Sequence, residues 1–399
     1  MNDCGVTMKK LPTLFSDPHD CCGCTACQAS CPVNAIRMVP DDEGFSYPRV
    51  NQDKCIGCGT CERVCQLKSP REKGEPLTIF AVKNKNLDCR MKSSSGGMFS
   101  LLAEFVEKQG GVIYGAAFDE KLSVCHRRAN CRSDWEKFCT AKYVQSDLND
   151  CYSQVRKDLE FGKTVLFSGT PCQVEGLIRF LGNKHTDKLI TCDIVCHGVP
   201  SPAIWQEWLS IVERKKGKDA LGVNFRDKSL SGWHKSSLSL FGKDGIAFFS
   251  GTHADNTFSR LFFSHLIVRP SCHKCPYASY HRPGDLTLGD YWGIEKHLPE
   301  FDDDKGVSLV MCNSEQGRAV FESVCSQTEF VQITKEQSIQ PNLVKPSDES
   351  NNRQLFWNLF HRIGLEKTIK VFKFGEISIW ESLLVKIFRS LLRVAGKLS

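Results

Sequence analysis

The stretch CCGCTACQASCP (residues 21–32) returns as CIGCGTCERVCQ (residues 55–66), with cysteines at matching positions. Both runs contain Cys-x2-Cys-x2-Cys-x3-Cys, which is the ligand spacing of a bacterial [4Fe–4S] ferredoxin. A cubane cluster needs four thiolates aimed at one point, and two intervening residues let a tight loop present successive sulfurs without strain. The repeat therefore predicts an α+β ferredoxin-like module with two [4Fe–4S] clusters.

In two-cluster ferredoxins, the fourth cysteine of each run ligates the other cluster. We therefore assign Cys21, Cys24, Cys27 and Cys65 to the first cluster site, and Cys55, Cys58, Cys61 and Cys31 to the second cluster site. Structural zinc is the alternative for paired Cys-x2-Cys groups, but eight ligands at this doubled spacing fit a ferredoxin better. Pro32 follows the first run, whereas Gln66 follows the second, and we interpret Cys22 as a bystander.

Composition limits the class of protein. The chain has 399 residues, enough for two or three domains, and 22 cysteines. No charged-then-apolar signal peptide and no apolar run of membrane-spanning length is recognised, so we expect a reducing cytoplasm, as in an anaerobe. The net charge of +6 is mild and lacks the dense basic patches of nucleic-acid binders. A positive surface would attract an acidic electron carrier such as ferredoxin or flavodoxin. The alternative interpretation of the charge is an ordinary solvated surface.

Turn-forming residues and apolar periodicity divide the chain. The predicted divisions are a leader at 1–15, the ferredoxin module at 16–70, a linker at 66–76, two α/β regions at 77–155 and 160–335, and a helical tail at 350–399. Strands are predicted at Ile79–Val82, Gly111–Phe118, Thr164–Ser168, Leu189–Val195, Leu286–Leu288 and Val307–Met311, and a hairpin at 236–250. Thr170 and Pro171 read as the N-cap and first residue of a helix, which predicts a parallel βαβ unit.

The tail carries a second pattern. From Ile377 to Leu398, apolar residues alternate with lysines and arginines at helical spacing, which predicts a basic amphipathic helix. Peripheral contact with an anionic membrane and docking on protein are the two interpretations. Docking is the interpretation that we favour.

Four further cysteines predict a third metal site. Cys172 and Cys196 follow two predicted parallel strands, and ligands in open α/β domains gather beyond the carboxyl ends of strands. The Cys272-x2-Cys275 loop would meet them there and complete a set of four thiolates. Spacing alone leaves a [4Fe–4S] cluster and structural zinc equally open. Cys192 is a competing ligand, but it lies within a predicted strand, where side chains pack.

Seven cysteines without ligand spacing are predicted to be buried apolar residues: Cys89, Cys125, Cys131, Cys139, Cys151, Cys312 and Cys325.

Several short motifs together resemble one family. They are Ser95-Gly96-Gly97 before a helix, AKYVQS (141–146), SGTPCQ (168–173), CHGVPS (196–201), Cys272-x2-Cys275, GDYWG (289–293) and KGVSL (305–309). With them the chain resembles the beta subunit family of coenzyme F420-reducing hydrogenase and dehydrogenase. That family includes formate dehydrogenase beta subunits, F420H2 dehydrogenase and 7-hydroxymethyl chlorophyll a reductase. The resemblance runs from the ferredoxin module to about residue 335.

The resemblance implies FAD beside a third [4Fe–4S] cluster in a mixed α/β FAD-binding domain, although no G-x-G-x-x-G fingerprint is present. The helix start after Ser94–Gly97 would offer backbone N–H groups to a pyrophosphate, and Lys142 would stabilise anionic reduced flavin. The implied cofactor-binding residues are Ser94, Ser95, Gly96, Gly97, Lys142, Tyr143, Gln145, Ser146 and Thr170. His197 is the candidate proton donor, with a structural hydrogen bond as the alternative.

Two functions follow from these expectations. The first is an FAD-dependent iron–sulfur oxidoreductase, similar to F420H2 dehydrogenase, that moves electrons between ferredoxin-type clusters and F420 or another small-molecule substrate. The second is an electron-transfer subunit that connects a redox partner subunit to a carrier and has no substrate of its own. A redox sensor ranks below both, because a sensor needs no flavin crevice.

Overall fold

The computed structural model describes residues 11–71, 74–182, 184, 186–374 and 390. The predicted amphipathic helix at 377–398 lies outside this part of the chain, apart from Ser390. Among the described residues, no helix is both long enough and apolar enough to cross a membrane.

The N-terminal module has an internal repeat. Its two short helices, α1 (Ala26–Ala29) and α2 (Thr60–Arg63), follow the second cysteine of each run, and strands β1 (Ile36–Pro40) and β2 (Ser46–Val50) form an antiparallel ladder. Thr25 and Gly59 precede the two helices at equivalent positions with φ values of 61° and 69°. The left-handed turn is therefore present in both runs, although only one of them has glycine there.

Part of the predicted leader belongs to this module. Leu14 is buried against Ile36 and Cys61, and Phe15 stacks on Tyr47 with ring centroids 5.0 Å apart. Residues 11–15 therefore correct the prediction of a loose leader, because the module is too small to bury its apolar face without them.

A mixed eight-stranded sheet forms the centre of the rest of the chain, in the order β13-β3-β12-β11-β7-β6-β4-β5. Neighbours among β11, β7, β6 and β4 are parallel, and the outer pairs are antiparallel. Its strands are β3 (Thr78–Asn84), β4 (Val112–Phe118), β5 (Val124–Ala129), β6 (Val165–Gly169), β7 (Leu189–Ile194), β11 (Leu286–Asp290), β12 (Ser308–Cys312) and β13 (Thr328–Ile333). The predicted parallel βαβ unit and the strands predicted in this region are confirmed.

Helices cover both faces of this sheet. Along β6, Leu166 points to the core beneath α4 (Met98–Lys108) and α11 (Glu315–Val324), whereas Phe167 points to the core beneath α6 (Cys151–Glu160) and α7 (Pro171–Leu181). The short helices around the sheet are α3 (Leu87–Lys92), α5 (Arg132–Trp135) and α10 (Ile294–His297). Because successive side chains of β6 point into cores on opposite faces, the sheet lies between two layers of helices in a three-layer α/β arrangement.

A smaller sheet and the last helices share a separate aromatic-rich core. The strands are β8 (Gly222–Asp227), β9 (Ser237–Phe241) and β10 (Ala247–Gly251), and the predicted β9–β10 hairpin is confirmed. The helices are α8 (Pro202–Lys216), α9 (Thr257–Phe263), α12 (Arg353–Ile363) and α13 (Leu365–Val371). Phe356 and Leu365 pack into this core with Trp205, so the start of the predicted helical tail is part of the domain.

The cysteines outside the metal-site patterns are not all buried. Cys151 and Cys312 are buried as predicted. Cys131 is exposed, so the prediction is wrong for it, and four others are only half-buried: Cys89, Cys125, Cys139 and Cys325. Cys131 is the residue before α5, where the chain turns at the surface and cannot cover its side chain.

Candidate functional site

Each predicted ferredoxin ligand set lines one small cavity. Cys21, Cys24, Cys27 and Cys65 line a cavity of about 30 Å³, and Cys31, Cys55, Cys58 and Cys61 line one of about 20 Å³. The fourth cysteine of each run lies at the cavity of the other run, the exchange that two-cluster ferredoxins require. The ligand assignment itself stays a prediction.

Backbone N–H groups point at several of these sulfurs. Ala35 donates to Cys31 Sγ at 3.2 Å, and Gly57 donates to Cys55 Sγ at 3.4 Å. The second cluster site faces solvent, since Cys58 is exposed, whereas the first is mostly enclosed and burial raises the pKa of Cys21 to about 11. Metal ligands are thiolates, so a cluster bound at the first site would have to lower the pKa of Cys21 again.

The third cysteine site, formed by Cys172, Cys196, Cys272 and Cys275, also surrounds one cavity. Cys172 lies in the first turn of α7, Cys196 follows β7, and the other two belong to the turn at 270–275. The carboxyl ends of the parallel strands therefore meet the Cys-x2-Cys loop where the sequence pattern predicted. Cys192 does not take part, because it is fully buried within β7 among core side chains.

Four cysteines around one cavity are a donor set that suits either a cubane cluster or a single zinc ion. A third [4Fe–4S] cluster at this site therefore stays a prediction that the family resemblance implies.

A buried ion pair fixes the walls of this cavity. Arg282 donates to Asp193 Oδ1 through Nε at 3.0 Å and through Nη2 at 2.7 Å, and both side chains are almost wholly inaccessible. Thr287 Oγ1 and the Gly284 N–H also donate to the Asp193 carboxylate. Arg282 in addition donates to the carbonyls of Tyr277 and Ile194. The segment after Cys275 is thereby joined to the end of β7, which leads into Cys196.

Removal of this carboxylate should be strongly destabilising. Asp193→Ala leaves the buried Arg282 guanidinium without a counter-charge, and we expect a loss of about 3–5 kcal/mol in the free energy of unfolding. Anaerobic denaturant titration followed by circular dichroism measures it. The matched control is Glu366→Gln, which removes the exposed pair with Arg214, where we expect less than about 1 kcal/mol. Equal effects from the two variants would contradict this role for Asp193.

Cys22 and Gln66 join the first cluster site to the third cysteine site. Cys22 lies within hydrogen-bonding reach of Cys24 and Cys172, and this hydrogen bonding lowers the pKa of both. Gln66 Nε2 donates to Cys22 Sγ at 3.4 Å and to the Cys172 carbonyl at 2.7 Å, while Gln66 Oε1 accepts from the Tyr277 hydroxyl. The interpretation of Cys22 as a bystander is therefore wrong, and the replacement of proline by Gln66 has a structural reason.

The Ser94–Gly97 loop lies at the same edge of the sheet. Its N–H groups are partly used within the protein: Ser94 N–H donates to the Cys139 carbonyl, and Gly96 N–H donates to Ser308 Oγ at 3.0 Å. A Cβ on Gly96 would clash with the Val82 carbonyl oxygen, so close packing against β3 requires this glycine. Gly97, at φ 82°, is the N-cap of α4.

The segment 141–146 crosses this edge from the Ser94 loop to the ferredoxin module. Ala141 N–H donates to Ser94 Oγ at 2.6 Å, and Gln145 Oε1 accepts from Arg269 beside the Cys21 loop at 2.8 Å. Ser146 Oγ contacts His126 Nδ1 at 2.7 Å, and Tyr143 packs on Phe225. Gln145 is therefore placed beside the first cluster site, away from the Ser94 loop.

Among the described residues, the hydrogen bonds of two lysine ammonium groups near the Ser94 loop all go to backbone carbonyls. Lys142 Nζ donates to the carbonyls of Lys137 and Thr140, and burial lowers its pKa to about 7. Lys228 Nζ donates to Ser95 O at 3.0 Å and to two other carbonyls, and burial also lowers its pKa to about 7. Sequence reasoning missed Lys228, which follows a strand and matches no motif. Such ammonium groups suit an anionic ligand.

Thr170 and His197 lie at the third cysteine site. Thr170 forms the predicted N-cap of α7 as part of a capping box with Gln173, and its Oγ1 lies 3.2 Å from Cys172 Sγ. Both ring nitrogens of His197 have partners in the protein, Asn342 Oδ1 at 3.1 Å and His265 Nε2 at 3.0 Å. Of the two interpretations of His197, this geometry favours the structural hydrogen bond over proton donation.

Two family models match this chain. Residues 162–337 match the family described as the C terminus of the coenzyme F420 hydrogenase/dehydrogenase beta subunit. Residues 20–68 match the 4Fe-4S dicluster domain. The first range contains the third cysteine site, and the second contains both ferredoxin runs.

Curated relatives match either most of this chain or a short stretch of it. The F subunit of F(420)H(2) dehydrogenase from Methanosarcina mazei is 21% identical over 335 residues, which are 79% of this chain and 86% of that protein. Ferredoxin-type protein NapF of Haemophilus influenzae is 44% identical over 46 residues, which are 12% of this chain and only 26% of that protein. This chain thus spans about a quarter of NapF.

A solved structure, of the F420-reducing [NiFe] hydrogenase complex from Methanosarcina barkeri, contains a chain that matches with a TM-score of 0.46 and 17% identity. The match covers 75% of this chain and 93% of that one. By the family-model matches, residues 162–337 therefore belong to the C-terminal family of the coenzyme F420 hydrogenase/dehydrogenase beta subunit, and a 4Fe-4S dicluster domain precedes them in the chain.

Proposed function

We propose that this protein is an iron–sulfur flavoprotein oxidoreductase that exchanges electrons between ferredoxin-type clusters and FAD, and on to or from a hydride-accepting cofactor or organic substrate. Its family and its dicluster domain support an oxidoreductase role in the broad sense. One relative that matches most of this chain is named as a subunit of F(420)H(2) dehydrogenase. That name makes F420 the first substrate to test.

The observation that carries this proposal is the junction between the two buried cysteine sites. Cys22 lines both the cavity of the first cluster site and that of the third cysteine site, and Gln66 bonds across them. The ferredoxin module also approaches α7 closely: a Cβ on Gly176 would lie 3.0 Å from Cys24 Cβ. Side chains this close provide a short path for electrons between the module and the sheet edge.

The residues at the edge of the sheet fit an anionic cofactor. FAD, when bound, supplies the exchange between two-electron hydride chemistry and one-electron cluster chemistry. Lys142 and Lys228 would compensate its phosphate or reduced-ring charge, while Ser94 Oγ holds segment 141–146 against the loop. The glycines of the loop pack against protein, so we assign the binding energy to the lysines more than to loop N–H groups.

An electron-transfer subunit without its own substrate is the second candidate. The name of one relative favours it, since that protein is called a subunit of a dehydrogenase. The solvent-facing Cys58 at the second cluster site would then lie near a carrier or a redox partner subunit. In this second candidate function, the protein still carries the clusters but has no organic substrate of its own.

Reduction and reoxidation of the reconstituted protein distinguish the two. After anaerobic reconstitution and titration with dithionite, we expect bound flavin to be reduced and then reoxidised by added F420, followed by flavin absorbance. Protein with full iron but no bound flavin would overturn the flavoprotein proposal. Bound flavin that no free acceptor reoxidises, but that turns over once a co-purified partner is added, would favour the electron-transfer subunit.

A further inference from the structure

Arg269 is a fully buried guanidinium at the first cluster site. It follows the strand-like segment that pairs Val268 with Pro200, and its solvent exposure is 0%. Its Nε donates to the Cys21 carbonyl at 2.9 Å, and its Nη2 lies 3.9 Å from Cys21 Sγ. The side chain thus contacts the ferredoxin module from the family domain.

The other contacts of Arg269 hold it rigidly. Nη1 donates to Gln145 Oε1 at 2.8 Å, and Nη2 donates to the Ser46 carbonyl at 3.1 Å. The guanidinium carbon lies 4.2 Å from the ring centroid of Tyr47 and 5.5 Å from that of Phe45. These contacts fix the position of the charge with respect to Cys21.

Within the described part of the chain, the polar contacts found for this guanidinium are with carbonyl oxygens, the Gln145 amide and Cys21 Sγ, and none is with a carboxylate. A buried charge without a counter-ion is costly. Among these polar contacts, the group able to carry the opposite charge is the thiol of Cys21, which is a predicted cluster ligand. A cluster with four thiolates is anionic and would supply the missing negative charge.

We propose that Arg269 is a positioning residue that raises the reduction potential of the cluster at the first site above the value that the cluster would have without it. Reduction adds one electron, taken from the external donor, and so adds one negative charge beside the guanidinium. The attraction favours the reduced form, and low solvent access preserves it. The inference rests on the first ferredoxin cluster of the proposed function, and it is independent of FAD and of the third cysteine site.

Arg63 provides a matched comparison at the second cluster site. Its Nη1 donates to the Cys58 carbonyl at 3.0 Å, as Arg269 does to the carbonyl of Cys21. Arg63, however, is exposed, and its Nη2 donates to Thr60 Oγ1 at the surface. Water and salt screen an exposed charge strongly, so its effect on a nearby cluster should be small.

The test is a redox titration followed by electron paramagnetic resonance on three full-length variants: Arg269→Gln, Arg269→Lys and Arg63→Gln. In Arg269→Gln, we expect one cluster to become at least tenfold harder to reduce, a downward shift of about 59 mV for a one-electron couple. Arg63→Gln should shift no cluster by that much. Iron, sulfide and flavin are measured on the same samples, so that loss of a cluster is not mistaken for a shift.

Unchanged potentials in Arg269→Gln with full iron would overturn the inference while leaving the proposed function intact. Wild-type protein that assembles no ferredoxin-type clusters would overturn the proposed function instead. If Arg269→Gln fails to hold its clusters, Arg269→Lys decides, because lysine keeps the charge and loses the fork of donors. The clusters of Arg269→Lys should differ from those of the wild-type protein by less than tenfold in their ease of reduction. A larger drop in reduction potential with full iron would contradict the electrostatic role.

Discussion

Cys272→Ala is expected to lower the iron content of anaerobically reconstituted protein from about 12 to about 8 atoms per chain, and to leave the two ferredoxin-type clusters in place. Cys272 lines the cavity of the third cysteine site and neither ferredoxin cavity. A cubane deprived of one of four thiolates is poorly held, so we expect all four irons of that site to be lost together. Iron and acid-labile sulfide analysis measures the loss.

Cys192→Ala is the matched control. The sequence left Cys192 as a competing ligand for the third cysteine site, but the structure buries it within β7. It should keep about 12 iron atoms. Loss of four irons from Cys192→Ala but not from Cys272→Ala would contradict the assignment of the site. Loss of a single zinc from Cys272→Ala, with iron unchanged at about 8, would show that the site binds structural zinc.

Lys142→Gln is expected to weaken the retention of FAD by tenfold to hundredfold, measured as flavin released on gel filtration and as the Kd of the apoprotein. A charge-assisted hydrogen bond is worth about 1.5–3 kcal/mol, which corresponds to that range of affinity. The role proposed for Lys142 rests on its ammonium, which donates to the carbonyls of Lys137 and Thr140 and is left to compensate an anionic cofactor.

The affinity for flavin should also depend on pH. Burial lowers the pKa of Lys142 to about 7, so the ammonium is mostly protonated below that pH and mostly neutral above it. Affinity for an anionic cofactor should therefore fall as the pH rises from about 6 to about 8, since fewer molecules then carry the positive charge. In Lys142→Gln this part of the pH dependence should disappear.

Lys137→Gln is the control for the loss of a positive charge nearby, because its ammonium is exposed and pairs with Asp134. We expect it to retain flavin as the wild-type protein does. Equal retention by Lys142→Gln and Lys137→Gln would contradict the assignment of Lys142 to the flavin site.

The cysteine pattern allowed much of the architecture to be predicted. The spacing of the two runs indicated the ferredoxin module, and the strand ends at Cys172 and Cys196 placed the third cysteine site at the carboxyl edge. Both inferences rest on local periodicity and on a general rule of parallel sheets. Thr170 as N-cap was equally predictable, because the capping residues are adjacent in sequence.

The charged residues behind the sites could not be predicted in the same way. Arg269, Arg282 and Lys228 are single residues without a spacing pattern, and their partners are distant in sequence: Arg269 bonds to Cys21, and Arg282 bonds to Asp193. Only the folded chain brings these pairs together. The direction of the Gln145 side chain has the same origin, since Arg269 and the Cys21 loop determine it.

The need for glycine at position 96 has a reason that only the structure shows. The sequence led us to expect that the 94–97 loop offers N–H groups to a pyrophosphate, and the structure adds that a Cβ on Gly96 would meet the Val82 carbonyl and the Ser308 N–H. The sequence motif is the same in both cases, because close approach of backbone requires glycine whether the neighbour is a ligand or a strand.

The most direct test of the account is the cofactor content of wild-type protein purified and reconstituted without oxygen. Iron, sulfide, zinc and released flavin are measured per chain on one sample. We expect about 12 iron atoms and one FAD per chain, with no zinc, corresponding to three cubane clusters and a flavin. About 8 iron atoms, one zinc and no flavin would contradict it and leave a ferredoxin module attached to a domain held by zinc.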